Sequence, residues 1–259
     1  MINRVVLALA ASCCLTLAAT SPAAAQLRYS THVEMRKLDV PPPTDPILGM
    51  LGALVAGRMP NGDASIVVGH DGARIEFRNA VGPVPAGGMM LLRGGKVAVI
   101  DPAKRTYWTS PTSALASVLA GRTPTVSSTR TGEYSVVSGL RAERVTFTWA
   151  MDLPLPAGLQ LPAGFPTTLT MDGEMWVADQ FKAYAAGLNA VTGAMLPGMG
   201  TGALAQDGLV VRQIIRSALL AGHELEFTVS DIVEGPLEGN PLAIPEGFTE
   251  VPAPGATPR

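Results

Sequence analysis

The sequence predicts a mainly β protein built on an antiparallel sheet with a few helices. First, apolar and polar residues alternate with a period of two in several segments, among them RYSTHVEMRK, ARIEFRN, RVTFTW and HELEFTVSDIV. Second, short Gly, Asp and Pro combinations typical of tight turns lie between apolar runs. Such alternation indicates strands with one solvent face and one buried face, which is the pattern of antiparallel rather than parallel sheets.

Four turn signals support the same interpretation: His70-Asp71-Gly72, Gly94-Gly95, Asp101-Pro102 and Asp172-Gly173. Glycine takes the positive φ that a tight turn needs, and Asp or Pro presets the corner. The predicted strands cover residues 27–37, 64–70, 73–79, 88–93, 96–101, 105–109, 124–130, 133–139, 142–150, 167–172, 174–179, 208–218 and 223–233.

Three segments depart from the alternation and predict helices over 43–57, 110–121 and 179–195. The first begins with Thr44 and Asp45 as caps, continues with Pro46, and is apolar almost all round. The third carries its apolar residues at helical spacing. The proline-rich stretch 154–166 predicts a loop.

Residues 1–25 predict a secretory signal peptide and therefore export of the protein. Arg4 precedes an apolar run, and small residues lead to a cleavage position after Ala25. Two alternatives remain. A membrane anchor would need about 20 apolar residues, which exceeds this run. Lipidation of Cys13 would follow a weak motif, with Ala10 where Leu is preferred.

The remaining chain predicts one domain, residues 26–251, followed by a disordered tail over 252–259. Both cysteines, Cys13 and Cys14, lie in the leader, so the mature chain can form no disulfide and has no thiolate for metal binding or catalysis. Loss of the leader leaves 18 Lys and Arg against 21 Asp and Glu. This balance excludes the basic excess expected of a nucleic-acid-binding protein.

No motif predicts catalysis, a metal or a cofactor. The histidines His32, His70 and His223 have no second ligand at useful spacing, so they are interpreted as plain surface or turn residues. No serine elbow, zinc-binding His pair or phosphate loop is present. The acids Glu224 and Glu226 are interpreted as the solvated face of a strand. A hydrolase with scattered Ser, His and Asp stays open as an alternative.

The aromatic and methionine content allows two interpretations. Trp108, Trp149 and Trp176 each occupy or close an alternating strand, where they would serve as core residues or line an apolar cavity. The chain also holds 11 methionines, Met90 among them. Methionine fills irregular gaps in cores and also forms adaptable apolar binding surfaces.

The motifs RIEFRN, KVAVIDPAKRTYW, SGLRAERVTFTW, GEMWVADQF and IPEGFTEVP, in this order, resemble the LolA and LolB superfamily of bacterial periplasmic lipoprotein carriers. The resemblance spans most of the mature chain. It implies a curved antiparallel sheet that forms an incomplete β-barrel, with helices covering a concave apolar face that holds acyl chains. It also matches Trp176 to the Trp-containing strand of the family.

The functional prediction is a non-catalytic periplasmic protein that binds an apolar small molecule, a lipid or a lipoprotein acyl chain. The predicted ligand contacts are Leu48, Leu51, Leu54, Met90, Trp149 and Trp176. No cofactor and no nucleic acid are expected, and transient contact with the membrane or with envelope proteins is compatible with this role. The alternative is a structural or interaction protein whose helices fill the hollow completely.

Overall fold

The protein is described from a computed structural model, which covers residues 26–37, 62–112, 124–152, 167–195, 206–217, 220, 223–236 and 239–254. In this part of the chain all strands belong to one sheet. Their bounds are β1 Gln26–Lys37, β2 Gly62–Val68, β3 Gly72–Phe77, β4 Met89–Arg93, β5 Lys96–Asp101, β6 Thr106–Pro111, β7 Thr125–Val137, β8 Leu140–Asp152, β9 Thr168–Ala178, β10 Leu209–Ser217, β11 His223–Gly235 and β12 Thr249–Glu250.

The strand order is β12-β6-β5-β4-β3-β2-β1-β11-β10-β9-β8-β7. Each pairing is antiparallel except that of β12 with β6, which is parallel. The first strand lies in the middle and joins two sequential meanders, because it pairs with β2 on one side and β11 on the other. Since β12 and β7 lie at opposite ends, the sheet is open, and the predicted mainly antiparallel, incomplete barrel is confirmed.

The sheet curls strongly on the side of β7 and β8. The Ser138 hydroxyl, in the turn between these strands, donates to the Val229 carbonyl oxygen at 2.5 Å. Val229 belongs to β11, and both β9 and β10 separate that strand from β8. A flat sheet would keep such positions roughly 14 Å apart, because neighbouring strands are spaced by about 4.8 Å.

Within the described ranges, one helical unit packs against the sheet. A 3-10 helix over Asp179–Tyr184 continues into helix α1, Ala185–Met195, as the sequence predicts for 179–195. A Cβ at Gly187 would lie 2.4 Å from Val68 Cγ1 and 2.9 Å from the Gly69 carbonyl oxygen, so only glycine allows α1 to approach the β2–β3 hairpin this closely. The face of the sheet that contacts α1 is called the helix face below, and the opposite one the outer face.

The Tyr184 side chain fastens the start of the helical unit to two strands. Its ring stacks on His70 with centroids 5.7 Å apart. Its hydroxyl donates to Glu234 Oε1 at 2.9 Å, and burial together with this carboxylate raises the pKa of Tyr184 to about 12. Because His70 follows β2 and Glu234 belongs to β11, the helical unit bridges strands on both sides of β1.

Three apolar clusters stabilise the fold. The first lies between α1 and the helix face and includes Leu27, Ile66, Ile75, Met90, Val99, Phe181, Tyr184, Leu188 and Val191. The second comprises Val33, Val145, Phe147, Trp149, Met151, Met175, Val177, Ile215, Leu220 and Leu225. The third covers the outer face and comprises Val67, Met89, Leu91, Ala98, Ile100 and Leu242, against which Tyr107, Ile244 and Phe248 pack.

The structure corrects two predicted strand breaks. Asp172-Gly173 is not a turn, because β9 runs through it, and the two strands predicted over 124–130 and 133–139 are one bulged strand, β7. A Cβ at Gly173 would lie 2.0 Å from the Ile214 carbonyl oxygen and 2.9 Å from Phe147 Cζ. Gly173 therefore permits close packing inside the sheet, which the local pattern alone does not distinguish from a corner.

Several predictions concern residues outside the described ranges. These are the signal peptide 1–25, the helix 43–57, residues 113–121 of the second predicted helix, the loop 154–166 and the last residues of the tail, 255–259. They remain predictions. The short strand β12 was not predicted; it pairs with β6 through hydrogen bonds that include Thr249 N–H to the Arg105 carbonyl oxygen at 3.0 Å.

Candidate functional site

The second cluster forms an apolar wall on the helix face of β8, β9, β10 and β11. Side chains alternate along each strand, so residues paired across strands share a face. Phe147, Gly173, Ile215 and Leu225 therefore form one row across the four strands. Trp149 and Met151 continue this face along β8. Because Gly173 has no side chain, the Phe147 ring lies directly over it. We call Phe147, Trp149, Met151, Met175, Ile215 and Leu225 the apolar wall.

The wall differs from the other half of the helix face in its cover. In the first cluster, α1 and the preceding 3-10 turn supply Phe181, Tyr184, Leu188 and Val191. In the second cluster, Leu220 is the one buried member outside a strand among the described residues. The helical unit therefore covers mainly the first cluster, and the wall extends beyond it, with Met175 at the boundary beside α1.

The wall side chains are almost fully buried. Trp149 and Phe147 are 2% and 3% exposed. A cavity of about 40 Å³ lies between α1 and the sheet, lined by Tyr29, Leu188, Gln213 and others. A water molecule takes up about 30 Å³ in the liquid, so this cavity suits one water and is far too small for an acyl chain. A ligand that reaches the wall must therefore displace whatever buries it.

Trp149 brings an unpaired polar group into the wall. In the described part of the chain, no acceptor lies within hydrogen-bonding distance of its buried Nε1–H. Its cross-strand neighbours are Val126 and Met171, and neither side chain offers an oxygen or nitrogen acceptor. A buried donor without a partner costs about 1–3 kcal/mol.

The predicted contacts Met90, Trp149 and Trp176 do not lie together. Met90 is on the helix face of β4, where it is 7% exposed and belongs to the first cluster. Trp176 alternates with Met175 on β9 and pairs with Arg212, whose guanidinium lies 4.9 Å from its ring centroid, and it also packs against the first cluster. Only Trp149 belongs to the wall. Leu48, Leu51 and Leu54 lie outside the described residues and stay sequence predictions.

The outer face behind the wall is charged. Arg212 and Arg36 both pair with Glu226, the former through Nε at 2.6 Å from Oε1. Glu226 is only 2% exposed, so the expectation of a solvated acid is wrong at this position: arginine side chains from the neighbouring strands lie over it.

The same face carries a second chain of ion pairs toward the sheet edge. Arg216 contacts Glu224 at 3.1 Å and Glu174 at 3.3 Å, and Arg144 continues to Glu174 at 2.7 Å and Glu133 at 2.9 Å. Hydrogen bonds to Glu133 and then to Glu174 raise the pKa of Arg144 above its ordinary value. We call these pairs, together with Arg36–Glu226–Arg212, the ion-pair ladder.

A larger groove of about 670 Å³ crosses the outer face of β11, β1, β2 and β3. Ser230, Ser30 and Ser65 are cross-strand neighbours and form its floor. Along one side, Asp63 Oδ1 lies 2.7 Å from His32 Nδ1 and Asp63 Oδ2 lies 2.8 Å from Arg78. These two partners, His32 first, hold the pKa of Asp63 below its ordinary value.

The other histidines are structural. His70 stacks on Tyr184, and His223 Nδ1 lies 3.0 Å from the Leu220 carbonyl oxygen. Nowhere among the described residues do three or more His, Cys, Asp or Glu side chains come together in a way that could hold a metal ion. Within the same residues, no helix combines the length and apolar character that a membrane span requires.

Wall residues other than Trp149 were missed by the search for sites in the sequence. Phe147 and Leu225 were recognised as alternating apolar residues, but nothing in their own segments joins them to Met175 or Ile215. The available sequence signal was spacing: Val145, Phe147 and Trp149 are two residues apart, so their side chains lie on the same face of the strand. Which strands lie beside β8 depends on sheet order, which local periodicity does not contain.

The fold and this face define a class: an open, curled, mainly antiparallel sheet with a helix on one half of one face and an apolar wall on the other. No family model matches the chain, and no curated protein matches it. Among solved structures, it is similar to a LolA superfamily protein from Nitrosomonas europaea. That similarity covers 80% of this chain and 84% of the other, with 8% identity and a TM-score of 0.28. The superfamily is the one that the sequence resembles; at this identity and score, the similarity carries no argument about ligand or function.

Proposed function

We propose that the protein is a non-catalytic periplasmic binding protein that holds an apolar chain, such as a lipid acyl group, against the apolar wall. The observation that supports this most is the division of the helix face. One half is covered by α1, while the other presents Trp, Phe, Met and aliphatic side chains with little cover from the described residues. Methionine and aromatic side chains together form adaptable apolar surfaces.

Energetics favour a wall that exists before the ligand arrives. Burying about 14 methylenes at roughly 0.8 kcal/mol each gains about 11 kcal/mol. Association costs about 4–15 kcal/mol, so little gain remains unless the protein is already ordered. The wall meets this condition because paired strands hold its side chains: Phe147 over Gly173, Ile215 opposite Leu225. On the sequence alone, we propose that the apolar segment with Leu48, Leu51 and Leu54 forms a lid over the ligand.

Two matched substitutions test the location of the ligand. Met151→Gln places an amide of similar length in the wall, and Met90→Gln places the same group in the first cluster; both methionines are 7% exposed. We expect Met151→Gln to weaken binding of a fluorescent fatty acid at least tenfold and Met90→Gln to leave it within about threefold. Far-UV circular dichroism checks that both variants fold. Equal loss in both variants would extend the site across the face, and no loss in either would contradict the wall.

The proposed lid has its own test. Leu51→Glu should abolish uptake of the same fatty acid while the far-UV circular dichroism spectrum is retained, because a charged carboxylate is costly to bury against an apolar chain. Unchanged uptake would remove this segment from the proposal without affecting the wall.

A structural or interaction protein is the second candidate, and the burial of the wall favours it. If the wall is permanently filled, a partner would bind elsewhere, for example in the outer groove over Ser30 and Ser65. Native mass spectrometry of protein purified without detergent distinguishes the two candidates. Co-purified lipid supports the carrier, and its repeated absence, together with failure to take up the fatty acid, supports the filled form. Labelling by a fluorophosphonate probe would instead indicate a hydrolase.

A further inference from the structure

The side chain of Trp149 contains a single hydrogen-bonding group, and that group is unused. Four buried side-chain atoms in the described part of the chain have no hydrogen-bond partner: Gln26 Oε1, Arg74 Nε, Glu226 Oε2 and Trp149 Nε1. The Arg74 and Glu226 side chains are nevertheless bonded through ion pairs, Arg74 with Glu76 and Glu226 with Arg212. The indole has no second polar atom, so Trp149 as a whole remains without a partner.

The surroundings of Trp149 supply no substitute for a protein acceptor. Its ring belongs to the apolar wall together with Phe147 and Met151. Neither the cavity beside α1 nor the outer groove is lined by Trp149, so neither places a water at its nitrogen. Tryptophan N–H groups usually find an acceptor when they are buried. A phenylalanine would supply an apolar aromatic ring without the unpaired donor.

We infer that Trp149 Nε1 donates a hydrogen bond to a carbonyl oxygen of the bound ligand. This inference rests on the proposed function and deepens it. The ligand class is then an apolar chain that carries an ester, amide or carboxyl carbonyl, as acyl lipids do, rather than a plain hydrocarbon. The donor fixes the depth of the chain, because the carbonyl group lies at the Trp149 end of the wall while the methylenes lie along Phe147, Met175 and Ile215.

The test compares two ligands of similar length, methyl octanoate with an ester and nonane without one. Each displaces the apolar fluorescent probe N-phenyl-1-naphthylamine from the full-length mature protein. The preference for the ester is measured in the wild type, in Trp149→Phe and in the control Trp108→Phe, which lies at the margin of the first cluster. Comparing this preference between variants cancels the different hydration of the two ligands.

We expect the preference for methyl octanoate to fall about threefold to tenfold in Trp149→Phe, as the loss of one hydrogen bond implies. It should stay within twofold of the wild type in Trp108→Phe. In the ¹⁵N-labelled wild type, the indole N–H resonance of Trp149 should move downfield with methyl octanoate but not with nonane. This measurement decides the question even if Trp149→Phe fails to fold.

Two results would overturn the inference in distinguishable ways. In the first, both ligands displace the probe and the preference is the same in Trp149→Phe as in the wild type. Trp149 then donates no hydrogen bond to the ligand carbonyl, but the apolar site is supported. If neither ligand displaces the probe and the indole resonance is unchanged, the inference fails together with the proposed function.

Discussion

The two halves of the sheet differ in how many of their faces are covered by other parts of the chain. In the half formed by β2–β6, both faces are covered: α1 packs on the helix face and the segment around Leu242 packs on the outer face. In the half formed by β7–β11, the helix face is apolar and the outer face carries the ion-pair ladder. A strand's residue pattern thus reports how many of its faces are covered.

This difference is visible in the residue patterns of individual strands. Met89–Leu92 are four consecutive apolar residues, and all four are buried, because alternate residues meet α1 on one side and the C-terminal segment on the other. Val145–Trp149 alternate strictly, and only the odd positions are buried. In the first half, both faces pack against other parts of the chain. In the second half, α1 leaves most of the apolar face uncovered.

The largest expected effect is a difference in the free energy of unfolding between substitutions on the outer faces of the two halves of the sheet. Leu91→Ala removes a buried side chain beneath the C-terminal segment, so we expect the free energy of unfolding to fall by about 2–5 kcal/mol. Thr146→Ala, on the outer face of β8, should change it by no more than about 0.5 kcal/mol. Urea denaturation measures both, and equal losses would contradict the difference in cover between the halves.

Buried and exposed ion pairs of the ladder should contribute differently to the free energy of unfolding. Glu226→Gln keeps the shape of a 2% exposed side chain but removes the charge that Arg36 and Arg212 share. We expect a loss of about 1.5–3 kcal/mol, the range for hydrogen bonds to charged groups. Glu133→Gln removes an acid at the exposed end of the ladder, where surface pairs are worth about 0–1 kcal/mol. A larger loss in Glu133→Gln would reverse our assignment of the buried end.

Gly173 tests how tightly the second half is packed. Gly173→Ala would place a Cβ against the Ile214 carbonyl oxygen and the Phe147 ring, so β9 must shift. We expect a loss of about 1–3 kcal/mol from overpacking, measured by thermal and urea unfolding. If the position were a turn, as its local sequence indicates, alanine would leave the wall intact, and ligand binding would not change.

The smallest expected effect concerns pH and lies at the centre of the sheet. His32 and Arg78 hold the pKa of Asp63 below its ordinary 3.8. A carboxyl group with a lowered folded-state pKa contributes stability that is present above pH 3.8 and is lost as the pH falls through the folded-state value. The decrease in urea midpoint between pH 6 and pH 3 should therefore be smaller in Asp63→Asn than in the wild type. An identical decrease would mean that Asp63 gains nothing from these partners.

Much of the fold was predictable because alternation and turn chemistry are local. The hairpin at Gly94-Gly95 and the helix over 179–195 follow directly from residue type, since positive φ at glycine and apolar spacing act within a few residues. Asp172-Gly173 was misjudged for the same reason. Gly173 is needed because a side chain there would collide with Ile214 and Phe147. Both residues are distant in sequence, so a rule based on neighbouring residues does not include them.

The candidate site was predictable only in part. Trp149 was selected because a tryptophan in an alternating strand is either core or cavity wall, and its placement in the second cluster is compatible with both. Trp176 was selected by the same reasoning but lies outside the wall, beside Arg212 and against the first cluster. The parity of a residue within its strand is local, whereas which of the two parities meets the helix depends on how the whole sheet curls.

The class of strand, the position of most turns and the absence of cysteine beyond Cys14 all follow from residue identities, because backbone preferences and side-chain chemistry are properties of short segments. The tertiary structure decided the rest. Strand order joined Phe147, Ile215 and Leu225 into one wall, α1 covered only one half of the face, and paired arginines buried Glu226. These features depend on contacts between residues far apart in the chain, whose energies no local pattern records.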